Sequence, residues 1–135
     1  AKSTKCTVTA CDIDKEAIKT AKLSCPGITF IYSDLFSNIS GKFDTIIFNP
    51  PYLPDAEPSD IALDGGPTGL ELLTNFLEQA KSYLTETGQI LFVQSSITGI
   101  DKTKELLILL GYNWEIVSSE NMFFEKLAVF RAWPQ

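Results

Sequence analysis

CTVTACDIDKEAIKTAKLSCPGITFIY, residues 6–32, decides the fold. Cys6 to Cys11 is rich in β-branched and small residues, ends at Asp12, and reads as a strand. Asp14 stands where a helix N-cap belongs, and Lys15 to Ser24 places Ala17, Ile18, Ala21 and Leu23 on one helical side. Pro26-Gly27 breaks that helix, and Ile28-Thr29-Phe30-Ile31-Tyr32 makes the next strand. Strand, helix and strand in so short a span begin the alternation that implies a mainly parallel sheet.

The alternation continues outward. Turn signals from Asn38 to Lys42 precede Thr45-Ile46-Ile47-Phe48, which reads as a short buried strand. A long loop follows, from Leu53 to about Thr68. Leu70, Leu73, Phe76, Leu77 and Ala80 then repeat at helical spacing up to Tyr83-Leu84. Gly88 restarts a strand over Gln89–Gln94, and a helix from about Asp101 to Leu110 closes at Gly111, the expected C′ residue. Two strands, Asn113–Ser118 and Glu125–Ala132, joined at Ser119–Phe124, end the chain. The fold class is therefore α/β: a mainly parallel sheet with helices on both faces and an antiparallel C-terminal strand pair. No linker divides the chain, so residues 1–135 are expected to form a single domain.

Composition bounds the chemistry. The chain has no histidine, which excludes a Ser-His-Asp triad within it. Cys6, Cys11 and Cys25 lack metal-type spacing, and no carboxylate cluster stands out, so no metal site is expected. On a shared strand, the odd offset of Cys6 and Cys11 puts them on opposite faces, and reduced thiols in a cytoplasmic setting are the expectation. No apolar stretch is long enough to span a bilayer, no signal-peptide pattern opens the chain, and no membrane association is expected. A net charge of −6 tilts against duplex nucleic acid as a partner.

Asn49-Pro50-Pro51-Tyr52 directly follows the Thr45–Phe48 strand. The prolines stop the strand and carry no N–H, so the turn offers carbonyl oxygens, the Asn49 amide and an aromatic face. Such a pocket mouth suits a planar NH2 group, which donates twice and stacks on Tyr52. By itself an Asn-Pro-Pro is also an ordinary strand-terminating turn. Asp12 and Asp34 follow the first two strands as Asn49 follows the third, and open α/β sheets bind ligands beyond their carboxyl strand ends. Either acid alone reads as a turn or capping residue. Together with Asn49 they suggest an adenosine-containing cofactor: Asp12 accepts the ribose hydroxyls, and Asp34 accepts an exocyclic amino proton while Leu35 and Phe36 sandwich the purine.

On these residues the chain resembles the class I S-adenosylmethionine-dependent methyltransferases, and among them the amino-methyltransferases with an Asn-Pro-Pro-Tyr motif. Gly41-Lys42-Phe43-Asp44, Ala62-Leu63-Asp64-Gly65-Gly66 and Gly69-Leu70 are similar to the HemK-like release-factor glutamine N5-methyltransferases. The ending Phe124-Glu125-Lys126-Leu127-Ala128-Val129-Phe130-Arg131 resembles their archaeal and eukaryotic branch. The resemblance implies a Rossmann-like fold and S-adenosylmethionine as cofactor, held by Asp12, Ile13, Asp34, Leu35 and Asn49. It implies Asn49, Pro50 and Tyr52 as catalytic residues, with Pro51 beside them in substrate binding. The implied substrate is a glutamine side-chain amide in a peptide-chain release factor, and the implied partner is a small zinc-binding activator protein.

The family's first strand and glycine-rich loop have no counterpart here. No glycine precedes Gly27, so the domain reads as N-terminally incomplete relative to the family. Two other readings stand beside glutamine methylation: an N6-adenine methyltransferase acting on DNA or RNA, which shares Asn49–Tyr52, and a non-catalytic module unable to hold cofactor alone. Asp44, at the amino end of its strand, reads as a turn or capping acid. Asp64-Gly65-Gly66 reads equally as a substrate loop or a glycine turn. Phe123-Phe124 and Trp114 read as core or edge packing, and Tyr112 as an anchor for the next strand.

Overall fold

A computed structural model describes residues 6–50 and 70–135, which fall into two compact units, 1–41 and 42–135. In the first unit β1 (Thr9–Asp12) and β2 (Thr29–Tyr32) pair in parallel, with Thr9 opposite Thr29 and Asp12 opposite Tyr32. Helix α1 (Lys15–Ser24) makes the crossover. Asp14 caps it, its carboxylate accepting the Glu16 N–H at 2.8 Å, which satisfies one of the orphan donors of the first turn. Of the expected apolar side only Ile18 is buried, Ala21 is half-buried, Ala17 is exposed and Leu23 is 84% exposed. Two strands of four residues make a sheet too small to cover all three turns of the helix, and Leu23 sits in the last one.

The second unit contains β3 (Phe43–Phe48), α2 (Glu71–Ala80) with a 3-10 turn over Lys81–Tyr83, β4 (Leu84–Ser95), α3 (Ile100–Leu109), β5 (Tyr112–Asn121) and β6 (Lys126–Pro134). Its sheet runs β3-β4-β6-β5; β3 and β4 are parallel, and β6 is antiparallel to both its neighbours. Both helices pack on one face. Phe76 of α2 stacks on Phe48 at 4.1 Å, the Tyr112 hydroxyl donates to the Leu77 carbonyl at 2.7 Å, and Lys104 of α3 lies over Trp114. Ile90, Phe92, Ala128, Phe130 and Ala132 fill the core beneath them, each large apolar side chain contributing about 1.5–3 kcal/mol.

Several local expectations change. The strand Thr45–Phe48 is not fully buried: Ile47 is 77% exposed, because it alternates to the face opposite Phe48, whereas Phe48 lies under Phe76 of α2. Asp44 lies inside β3 rather than in a turn and accepts a hydrogen bond from Thr85 Oγ1 at 3.0 Å. Strand β4 begins at Leu84, not at Gly88. Phe43 pairs with Leu84 and Thr45 with Gln89, so the intervening residues of β4 bulge out of register. Phe123 and Phe124 are not packed: they are 101% and 94% exposed. Among the described residues no helix is long and apolar enough to cross a membrane.

Candidate functional site

In the first unit, the carboxyl ends of β1 and β2 bring Asp12, Ile13, Asp34 and Leu35 together. Asp12 Oδ1 accepts the Asp14 N–H at 2.8 Å, which fixes the carboxylate's orientation and leaves Oδ2 without a partner among the described residues. The Asp12 carbonyl accepts the Ser33 N–H at 3.0 Å, extending the strand pairing one residue toward Asp34. Asp12, Ile13 and Asp34 are exposed, and Leu35 is half-buried.

The loop after β2 is fixed by Ser33, a residue the sequence reading passed over. Its buried hydroxyl donates to the Leu35 carbonyl at 2.9 Å and accepts the Asn38 N–H at 3.0 Å. Asn38 Nδ2 donates to the Tyr32 carbonyl at 2.9 Å, closing the loop onto the strand. Leu35 is thereby held at φ 45°, a left-handed conformation uncommon outside glycine, and over-determined backbone of this kind clusters at ligand sites. Phe36 points into the core at 7% exposure, so the expected purine sandwich of Leu35 and Phe36 loses its Phe36 half. The Cys11 thiol donates to the Leu35 carbonyl at 3.7 Å; partial burial, and then the neighbouring Asp12 carboxylate, push its pKa up.

Two exposed carboxylates on a rigid loop frame match the hydroxyl and amino donors of an adenosine. Asp12 and Asp34 would hold those groups, with Ile13 and Leu35 as apolar contacts.

In the second unit, β3 ends at Phe48, opposite Phe92, and the chain leaves the sheet through exposed Asn49 and buried Pro50. Pro51 and Tyr52, like Asp64-Gly65-Gly66, lie outside the described residues. On the neighbouring strand Gln94 is fully buried. Its Oε1 accepts the Ser95 N–H at 2.9 Å, while Nε2 has no partner among the described residues. Buried donors are nearly always paired, so Gln94 is a further candidate. The signal that flagged Asp12, Asp34 and Asn49, a polar residue closing an apolar strand, is also present in Ile90-Leu91-Phe92-Val93-Gln94.

Comparison with known proteins follows the same line. A provisionally named protein N5-glutamine methyltransferase of Methanocaldococcus jannaschii is 42% identical over 132 residues, covering 90% of this chain and 67% of the relative. The release factor glutamine methyltransferase of Deinococcus radiodurans is 33% identical over 98 residues, which cover 62% of this chain and only 35% of that enzyme. Among solved structures, Mtq2 of E. cuniculi, in its complex with Trm112, aligns with a TM-score of 0.68 at 20% identity, over 99% of this chain and 88% of that one. That likeness establishes a shared fold. The methyltransferase small domain model matches residues 1–124, nearly the whole sequence, and the chain belongs to that family.

Proposed function

We propose that this chain is the core of an S-adenosylmethionine-dependent enzyme that methylates the side-chain amide nitrogen of a glutamine in a peptide-chain release factor. The observation that carries the reading is the exposed Asn49, followed by Pro50, at the carboxyl end of β3. The relatives named for glutamine methylation support it, and the E. cuniculi Mtq2–Trm112 complex is responsible for methylation of the eRF1 termination factor. By the same analogy the enzyme works with a small activator partner, as Mtq2 is paired with Trm112.

An amide nitrogen is a poor nucleophile because its lone pair is delocalised into the carbonyl. With no histidine in the chain, positioning is the feasible route. Asn49 Oδ1 and the Pro50 carbonyl accept the two N–H protons, draw the nitrogen toward tetrahedral geometry and localise the lone pair. Tyr52, which lies outside the described residues, has the aromatic chemistry to stabilise positive charge developing on the amide, the role the family resemblance implies for it. Asp12 and Asp34 bind the adenosine end of the cofactor. When bound, S-adenosylmethionine supplies an electrophilic methyl group.

The test is a pair of variants in the full-length protein. Asn49→Ala should reduce methyl transfer to a Gly-Gly-Gln peptide by about 100-fold or more, the scale of losing one preorganised polar contact, with cofactor affinity unchanged. Asp12→Ala should instead raise the cofactor Kd about tenfold, or about 1.4 kcal/mol. Parallel loss of both properties in Asn49→Ala would make Asn49 structural, and transfer to an adenine oligonucleotide in place of the peptide would overturn the glutamine assignment.

A further inference from the structure

The tip of the β5–β6 hairpin has a composition that local structure does not explain. The Met122 N–H donates to the Glu125 carbonyl at 2.7 Å, leaving Phe123 and Phe124 as a two-residue loop. Such loops favour Gly, Asn and Asp, which tolerate the left-handed backbone of primed turns. Here neither residue has positive φ, and two of the largest apolar side chains stand in water at 101% and 94% exposure, beside Met122 at 54%. Their rings are 6.4 Å apart and tilted by 42°, too far apart to shield each other. Two aromatic side chains expose a few hundred Å² of apolar surface, the scale at which a patch marks an interaction site.

The base of the hairpin is pinned. The Ser96 N–H donates to the Lys126 carbonyl at 2.8 Å, the Lys126 N–H donates to Ser96 Oγ at 2.9 Å, and Ser95 Oγ donates to the Glu125 carboxylate. The tip is therefore a fixed protrusion. Its direction follows from strand polarity. Since β6 is antiparallel to β4, and β4 parallel to β3, the start of β6 lies at the carboxyl edge that Asn49 leaves from. Phe48 is opposite Phe92, and Leu127 opposite Ser95. At about 3.4 Å per residue and about 4.8 Å per strand, Phe124 stands roughly 20 Å from Asn49.

We propose that Met122-Phe123-Phe124 is a docking point for the acceptor protein itself, engaging its folded surface while its glutamine reaches Asn49. This rests on the glutamine-methylation reading. A separation of roughly 20 Å exceeds a free amino acid or a nucleobase and suits a folded protein seated across the sheet edge. Charge narrows the partner. Along the hairpin end from Glu120 to Lys126 the sequence carries two acids, Glu120 and Glu125, and one base, Lys126, in a chain of net charge −6. Anionic lipid headgroups and nucleic acid phosphates are thus poorly matched, and the fitting surface is an apolar depression with a basic rim.

The test compares wild-type full-length protein with a Phe123→Ser/Phe124→Ser double variant, using a whole release factor and a short Gly-Gly-Gln peptide as acceptors. The expected result is a KM for the whole factor raised about tenfold or more, as for truncation of an interface anchor, with kcat and both peptide constants unchanged. Equal KM values for the whole factor overturn the docking point while leaving amide methylation standing. Equal loss on peptide and factor assigns the tip to the fold and overturns it too. A variant that changes only self-association in sedimentation assigns the patch to a second copy, again against the proposal. A wild type that methylates neither acceptor fails the glutamine reading, and the docking point falls with it.

Discussion

Lys81 closes the end of α3 from a distance in sequence: its ammonium donates to the carbonyls of Leu110 and Gly111 and lies 4.7 Å over the Tyr112 ring. A cation is favourable there because the last carbonyls of a helix are unpaired and carry the negative end of its dipole. Tyr112 completes the contact, with its buried hydroxyl donating to Leu77, and burial holds its pKa well above the usual tyrosine value. The folded chain therefore keeps the phenol proton at pH values where the unfolded chain loses it. This contribution is full below about pH 10 and is lost as pH rises beyond that. The urea midpoint should fall above about pH 10 in the wild type, and Tyr112→Phe should flatten that fall while costing about 1 kcal/mol at pH 7. Identical alkaline slopes in the two proteins would remove Tyr112 from the account. Gly111 was legible as a helix stop because glycine's left-handed role is local. The reach of Lys81 was not, because it joins elements far apart in sequence.

The junction of β3 and β4 shows how a local reading misplaces a strand. Gly88 ends the polar stretch Thr85-Glu86-Thr87, so the strand is expected to restart only there. That stretch is instead an irregular part of β4, held by Thr85 on Asp44. Gly88 is buried there, and a Cβ added to it would lie 3.0 Å from the Phe43 carbonyl oxygen and the Thr85 nitrogen. Both are backbone atoms that cannot rotate away. Gly88→Ala should cost about 1–3 kcal/mol, the range for overpacking, measured as a shift in the urea midpoint. A loss below a few tenths of a kcal/mol would mean the bulge relaxes freely. Phe123-Phe124 departs from expectation in packing rather than position: the sequence already places both in the connection Ser119–Phe124, and their apolar character suggests burial that the exposed loop does not provide.

At the scale of the molecule, the alternation of strands and helices was legible throughout, whereas the division into two units was not. That division depends on which strands pair, a long-range property. Likewise the strand-end rule found Asp12, Asp34 and Asn49 one by one, and the structure places the carboxylates in the first unit and the Asn49-Pro50 pair in the second. In this chain β4 and β6 have partners on both sides, whereas β1 and β2 have only each other among the described residues. Amide exchange should therefore be slowest in β4 and β6 and fastest in β1 and β2, since isolated strand pairs are marginal. Equal protection in both sheets would show that the units open together. The reversed direction of β6 has a further consequence, for divergence between lineages. It sets a solvent-facing turn at the carboxyl edge of β3 and β4 without involving any strand end that carries Asp12, Asp34 or Asn49. Under the proposed docking role, such a turn can be lengthened, shortened or recoloured residue by residue, so that choice of acceptor would drift while Asp12, Asp34 and Asn49 stay fixed.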